Sequence, residues 1–413
     1  MSSAVTASRS RINQLDILRG ASLLGILVMN IISFGLPAAH YFNPLAEGAL
    51  SPANRWAFLL SEIFANERFM GLFSVLFGAG IVLFTGRISE RGHSEAKWHF
   101  RRNFWLLLIG MAHAYLLWSG DILVTYAVCS VWLFFCRNLR VRSLLVLSGA
   151  SLGVHLLGYV FMSLSIPYWS AKEAAELISF WKPSAVSVAD EVSTMRSGWV
   201  DQMPRRFEGA LAIQTVLLPF IVFRATGMML LGMALFKAGV LSGRRSRPWY
   251  ARLAFVGLGM GLLIAVLGVR HGDQNNWSAE ECFFQNGVFH ILASTPMVFG
   301  YIGVLLWLCK TSIGPTLELW LAPVGRMAMT NYLIQTLLAT MVMYGHGLGW
   351  FGKLGRAEMW GIVVPIWVIQ ILWSKWWLGR YQFGPAEWLW RSLTYWRLQA
   401  MRLGSATHHK QYL

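Results

Sequence analysis

The chain has 413 residues, 56% of them hydrophobic and only 13% charged, against roughly 25% charged in an average soluble domain, and it carries a formal net charge of +16. This composition excludes a soluble globular domain. The basic residues fall in short clusters between apolar runs rather than on one continuous surface, which argues against nucleic-acid binding and follows the positive-inside rule of membrane proteins.

Ten apolar stretches, most near or above the ~20 residues that a helix needs to cross a bilayer core, run along the chain. They cover about 15–36, 56–86, 103–119, 121–137, 143–166, 208–236, 251–269, 286–309, 320–344 and 358–379. The expected fold class is all-α, a polytopic membrane protein of about ten transmembrane helices. Basic residues precede the first stretch without a small-residue cleavage site after it, so an uncleaved first helix is expected rather than a signal peptide. The second and sixth stretches exceed one simple crossing. Each is expected to begin with an interfacial or re-entrant segment, because Asn66-Glu67-Arg68 breaks the former and Pro219 with Arg224 interrupts the latter.

Every second loop is basic: Arg9 and Arg11, then Arg87 to Arg102, then Arg137 to Arg142, then Lys237 to Arg252. The intervening loops are nearly uncharged, minimal or acidic, which places both termini in the cytoplasm. The connection 167–207, with Trp169, Trp181 and Trp199, is the one polar region large enough to form a cap, and this topology puts it outside. It is either an ordered lid with interfacial aromatic anchors or a lid that touches substrate. The chain therefore divides into an N-terminal helical half (1–166), the external loop (167–207), a C-terminal helical half (208–400) and a polar tail (401–413). Four cysteines, Cys129, Cys136, Cys282 and Cys309, never form a CxxC pair, and neither a disulfide framework nor a metal site is expected.

A charge inside an apolar stretch is costly unless paired or facing a cavity, so the few intramembrane polar residues carry the functional expectation. Arg102 opens the third stretch and His113 lies eleven residues on, about 16 Å along a helix axis. An anion-binding group and a proton-transfer group are thus separated by roughly half a bilayer. His113 reads either as a hydrogen-bonded packing residue or as a base. Asp121, after the Ser119-Gly120 turn, reads either as a cap on the fourth helix or as the partner that orients His113. Asp16 and Arg19 share a helix face and can form an ion pair. Asn331 and Gln335 form a polar stripe that glues helices or meets a ligand. Glu387 and Arg391 lie one turn apart on a tryptophan-rich interfacial segment, where they close the mouth of a site or pair with each other. Asn30 and Arg224 complete the pocket candidates.

Six segments then carry a resemblance: LDILRGASLLGILVMNI, ERFMGLFSVLFGAG, GMAHAYLLWSGDILVTYAV, FRATGMMLLGMALFKAGVL, GRMAMTNYLIQTLL and FGPAEWLWRSLTYW. Together they resemble the YeiB family of bacterial membrane proteins, nearly end to end, whose C-terminal half is a domain of unknown function. That family in turn resembles transmembrane acyltransferases, the group that includes acyltransferase-3 proteins and the lysosomal heparan N-acetyltransferase. In acyltransferase-3 proteins an Arg and a His separated by ten residues form a functional motif, and Arg102 and His113 reproduce it. The resemblance implies a bacterial cytoplasmic-membrane enzyme with His113 and Asp121 catalytic, and with Arg102, Arg19, Asp16, Arg391 and Glu387 toward the donor. It would move an acyl group, acetyl first, from cytoplasmic acetyl-CoA or another acyl-CoA to a glycan, amine or lipid acceptor, with no metal. A homodimer is compatible with it. The alternatives are a transporter or lipid-pathway protein that makes no bond, and a catalytically silent scaffold.

Overall fold

The computed structural model describes residues 12–403; Arg9, Arg11 and the polar tail from Gly404 lie outside them. Among the described residues the fold is all-helical, with a single isolated bridge between Tyr381 and Arg402 and no strand. The principal helices are α1 (Asn13–Gly35), α2 (Pro52–Phe64), α3 (Arg68–Glu90), α4 (Glu95–Leu116), α5 (Leu123–Cys136) and α6 (Val141–Ser165). The 167–207 connection holds α7 (Ala171–Trp181) and α8 (Ala185–Met195), and α9 (Met203–Ala212) leads into α10 (Leu218–Lys237). There follow α11 (Arg247–Gln274), α12 (Gln285–Leu308), α13 (Gly314–Arg326), α14 (Ala328–Met343), α15 (Trp360–Leu378) and α16 (Pro385–Tyr395).

Each of the ten apolar stretches forms helix, and seven helices among the described residues are long and apolar enough to cross a membrane. The other three differ for local reasons. Helix α4 begins with Glu95, Lys97, Arg101 and Arg102, and α5 is only 14 residues long. The ninth stretch is not one helix: it breaks at Met327 into α13 and α14.

The two long stretches resolve differently. The second breaks as its sequence suggests, with Glu67 held at φ 62°, an uncommon left-handed conformation for a residue with a Cβ. The sixth is not interrupted at Pro219. A π-helical turn, Ile213–Leu217, joins α9 to α10 just before Pro219, so the helix runs on through the proline.

Helix α1 is the hub. Some 78% of its most apolar window is buried, against 17% for the span containing α6, which turns Val146, Leu157 and Phe161 outward. An apolar surface of that kind suits lipid, since a helix satisfies its own backbone groups. Helix α1 packs on α3, α13 and α14. Its crossing with α13 is so close that a Cβ on Gly20 would lie 2.2 Å from the Leu321 carbonyl oxygen, and one on Gly325 would lie 1.9 Å from that of Asp16.

Candidate functional site

Helix α4 ends where the His113 carbonyl accepts the amides of Leu117 and Trp118, at 3.0 and 2.9 Å. The chain then folds back through Ser119-Gly120 into α5 and brings Asp121 beside the His113 ring. Both expectations for Asp121 hold at once: Oδ2 lies 2.7 Å from His113 Nδ1, and Oδ1 accepts the Val124 amide at 2.8 Å as the helix cap. With the carboxylate accepting from Nδ1, Nε2 carries the ring's free lone pair. That nitrogen faces Thr336 Oγ1 of α14 at 2.9 Å. Asp121, His113 and Thr336 thus form one line of hydrogen bonds, all buried.

Two cavities flank this line. The inner one, about 220 Å³, is lined by Arg19 of α1, Arg102 and Asn103 of α4, Arg326, Tyr332 and Glu387. The outer one, about 400 Å³, is bordered by α8 and α9 and is lined by Trp118, Ser119, Glu191, Gln202, Arg206 and Tyr344. Along α4 the inner cavity takes Arg102 to Leu106 and the outer one Trp118 and Ser119, with His113 between; along α14 and the residue after it, Thr336 lies between Tyr332 and Tyr344. The His113 ring is 5.0 Å from that of Tyr332 and 6.3 Å from that of Trp118, so one aromatic wall separates it from each cavity.

Arg102 faces the inner cavity with its guanidinium 4.1 Å from the Trp390 ring and 4.6 Å from Phe84. It makes no side-chain hydrogen bond or ion pair among the described residues, which leaves its planar fork for an anionic group. Arg19 pairs with Asp16 at 3.3 Å, as their spacing suggests, and also lines the cavity. Glu387 accepts the Met329 and Thr330 amides at 2.7 and 3.1 Å and the Thr330 hydroxyl at 2.5 Å. It therefore caps the N-terminus of α14, the half-helix that the Met327 break exposes. Burial pushes its carboxyl above the ordinary range, against the opposing effect of those hydrogen bonds. Arg391 lies over Phe383 at 4.5 Å.

The remaining candidates lie elsewhere. Asn331 donates to Ser374 Oγ at 2.8 Å and to the Val324 carbonyl, while Gln335 donates to Gln370 Oε1 at 2.9 Å and to the Leu23 carbonyl. The stripe ties α14 to α1, α13 and α15 and lines neither cavity. Asn30 is half-buried on α1 and lines neither cavity. Arg224 belongs to a separate ionic cluster at the α2–α3 break. There Arg224 Nε lies 3.4 Å from Glu67 Oε2, Glu62 Oε1 lies 2.8 Å from His290 Nε2, and the fully buried Arg68 reaches His290 Nδ1 at 3.1 Å.

Two tryptophans of the 167–207 connection bond to neighbouring helices and loops. Trp181 Nε1 donates to the Trp277 carbonyl at 2.7 Å, and Trp199 Nε1 to that of Leu116 at 2.9 Å. Arg206 reaches the same Leu116 carbonyl at 3.1 Å and lines the outer cavity. Sequence reasoning missed Thr336, Tyr332 as a wall, His99 and the Glu62–His290 pair. Thr336 carries no local signal of its own: it follows Gln335 on the helix whose Asn331–Gln335 stripe is already marked, and it meets His113 only in the fold.

Residues 235–397 match the family described as protein of unknown function DUF418. The chain is 34% identical over 382 residues to the uncharacterized protein YeiB of Escherichia coli strain K12, covering 92% of this chain and 95% of that protein. It is 30% identical over 407 residues to the uncharacterized protein YxaH of Bacillus subtilis strain 168, covering 94% and 96%.

Proposed function

We propose a function on the premise that this chain belongs to the YeiB family: it is a multi-pass enzyme of the bacterial cytoplasmic membrane that transfers an acyl group, acetyl first, from acyl-CoA to an acceptor reached from the other face. The observation that carries this reading is the buried line Asp121–His113–Thr336, which stands between cavities opening toward opposite ends of the bundle. A base that served only packing would have no reason to lie between two solvent-sized spaces.

The donor's phosphates meet Arg102 and Arg19 at the basic end, and the thioester points inward along α4. A cavity of about 220 Å³ falls below the roughly 300–1,000 Å³ of drug-sized ligand sites, so it suits the acylated arm with the nucleotide at the rim. His113 Nε2 takes the proton of the attacking group as the carbonyl–sulfur bond breaks, then returns it to the leaving thiolate. Asp121 holds the ring in the required tautomer and stabilises the imidazolium that forms. The acceptor, a glycan, amine or lipid, comes from the cavity beneath α8 and α9.

This reading puts loop 87–102 and both termini in the cytoplasm and the 167–207 connection outside, as the charge alternation requires. Single cysteines near His93 and Val188 test it: in intact cells an impermeant maleimide should react at the second and spare the first. Binding tests the donor: acetyl-CoA should bind the purified wild-type protein and bind Arg102→Ala about ten- to a hundredfold more weakly, the effect of losing one charge-assisted contact of ~1.5–3 kcal/mol. A wild-type protein that binds no CoA ester ends the proposal.

A second reading, a solute pathway without catalysis, draws on the ionic cluster of Glu62, Glu67, Arg68, Arg224 and His290, because intramembrane charges commonly mark transport routes.

A further inference from the structure

Thr336 departs from what a threonine in the middle of a helix ordinarily does. Such a hydroxyl returns to the carbonyl one turn back, as Thr85 does to Ile81, Thr215 to Leu211 and Thr394 to Trp390, at 2.8, 2.8 and 2.7 Å. Thr340, the next turn of the same helix, also bonds its own backbone, at the Leu337 carbonyl. Thr336 alone of these turns its oxygen to a histidine nitrogen, 2.9 Å away, and that histidine is held from behind by a carboxylate at 2.7 Å. A hydroxyl, an imidazole and a carboxylate in this order form the arrangement that activates an alcohol as a nucleophile.

We propose that Thr336 is the residue that carries the acyl group, as an ester on its Oγ1, between the inner and the outer cavity. This rests on the acyl-transfer reading above and adds the route. In the first half, His113 Nε2 takes the Thr336 hydroxyl proton and Oγ1 attacks the thioester carbonyl. The carbon–sulfur bond breaks, and the proton passes from His113 to the thiolate, leaving free CoA and the Thr336 ester. In the second half, an acceptor O–H or N–H gives its proton to His113 and attacks the ester carbonyl. Thr336 leaves as the alkoxide and recovers the proton.

Tyr332 supplies a donor for the developing oxyanion. It lies one turn before Thr336 on the same face, and its hydroxyl accepts the Ile122 amide at 3.3 Å, which leaves its own proton free to be given. The covalent route also suits the separated cavities: donor and acceptor never occupy one space, and the Trp118 and Tyr332 walls need not open together.

The test uses the purified full-length protein with acetyl-CoA, radiolabelled CoA and no acceptor. Wild-type protein should exchange label between CoA and acetyl-CoA, and intact mass with fragment mapping should find one hydroxylamine-labile acetyl group on Thr336. Thr336→Val, which keeps the shape, and Thr336→Ala should bind acetyl-CoA as wild type does and lose exchange by at least a hundredfold. Thr336→Ser should restore it, and His113→Ala should abolish both exchange and ester. Exchange retained in Thr336→Val, an acetyl group mapped to another residue, or wild-type protein that binds acetyl-CoA without exchange would each overturn the covalent role and leave direct transfer standing. Wild-type protein that does not bind acetyl-CoA would overturn the acyl-transfer reading, and this inference with it.

Discussion

Two clusters of polar side chains lie buried in the bundle, and they are wired in opposite ways. Asp121, His113 and Thr336 form a line in which each contact joins a proton donor to an acceptor, flanked by a cavity on either side. Glu62, Glu67, Arg68, Arg224 and His290 form a set of opposed charges gathered at the α2–α3 break, and like the first cluster they line neither cavity themselves. The second cluster has more charge, but it does not stand between the two cavities. Its role in holding the fold together is plain, because the Glu67 carbonyl, exposed by the helix break, accepts Arg224 Nη2 at 2.6 Å and Ser294 Oγ at 3.3 Å, which pins the break to α10 and α12. The comparison teaches that burial and charge alone do not mark a reaction centre in a membrane protein; a proton-transfer group must also lie between the spaces that its substrates would occupy.

The comparison breaks first at the clusters themselves. His113→Ala should lower acyl transfer by about 10²–10⁴-fold, the usual contribution of a general base, well beyond any loss of folded protein and with acetyl-CoA binding near wild type. Turnover that falls only in step with the folded fraction would make His113 a packing residue like any other. Arg68→Ala should do the reverse. It removes the cluster's fully buried cation, which bonds His290 while Glu62 and Glu67 pair with His290 and Arg224, so the loss should appear as a lower melting temperature, while the folded fraction keeps its affinity for acetyl-CoA. A stable Arg68→Ala protein with altered solute flux would instead favour the pathway reading.

Smaller effects sharpen the inner cavity. Arg102→Lys should recover only part of the affinity that Arg102→Ala loses, because an ammonium does not offer the planar fork that stacks on Trp390. Titration calorimetry with CoA and dephospho-CoA measures it. Glu387→Ala removes the cap on α14 and should cost about 1 kcal/mol of stability.

Glu387→Gln should keep the cap and show a pH signature. The carboxyl of Glu387 is raised above 4.5 in the folded protein, so its favourable contribution is complete below that pH and is lost as pH rises through the folded value. The melting temperature of Glu387→Gln relative to wild type should accordingly increase from pH 4.5 toward 7.

Much of this was legible in the chain. The Arg102–His113 spacing, the Asp16–Arg19 pair and the Glu67 break are local, and helix geometry fixes them within a turn or two. Asp121 reads two ways in the sequence because its reach depends on how the Ser119-Gly120 turn folds back, and the fold grants it both. Thr336 was invisible for a different reason: it meets His113 only through the register of α14 on α4, across 223 residues of sequence. The same holds for Glu62 and His290, paired between α2 and α12. The Met327 break is marked in the sequence only by Pro323, Gly325 and Arg326 just before it, and the carboxylate that caps the second half comes from α16, farther along the chain.

The central claim is that the inner cavity delivers a thioester to His113, and a structure of the full-length protein saturated with acetyl-CoA tests it most directly. The expected map has the phosphates against Arg102, the arm running along α4 past Tyr332, and the thioester carbonyl beside His113 Nε2 and Thr336 Oγ1. A lipid chain filling that cavity at saturating acetyl-CoA, or a nucleotide bound elsewhere with the thioester remote from His113, would contradict it.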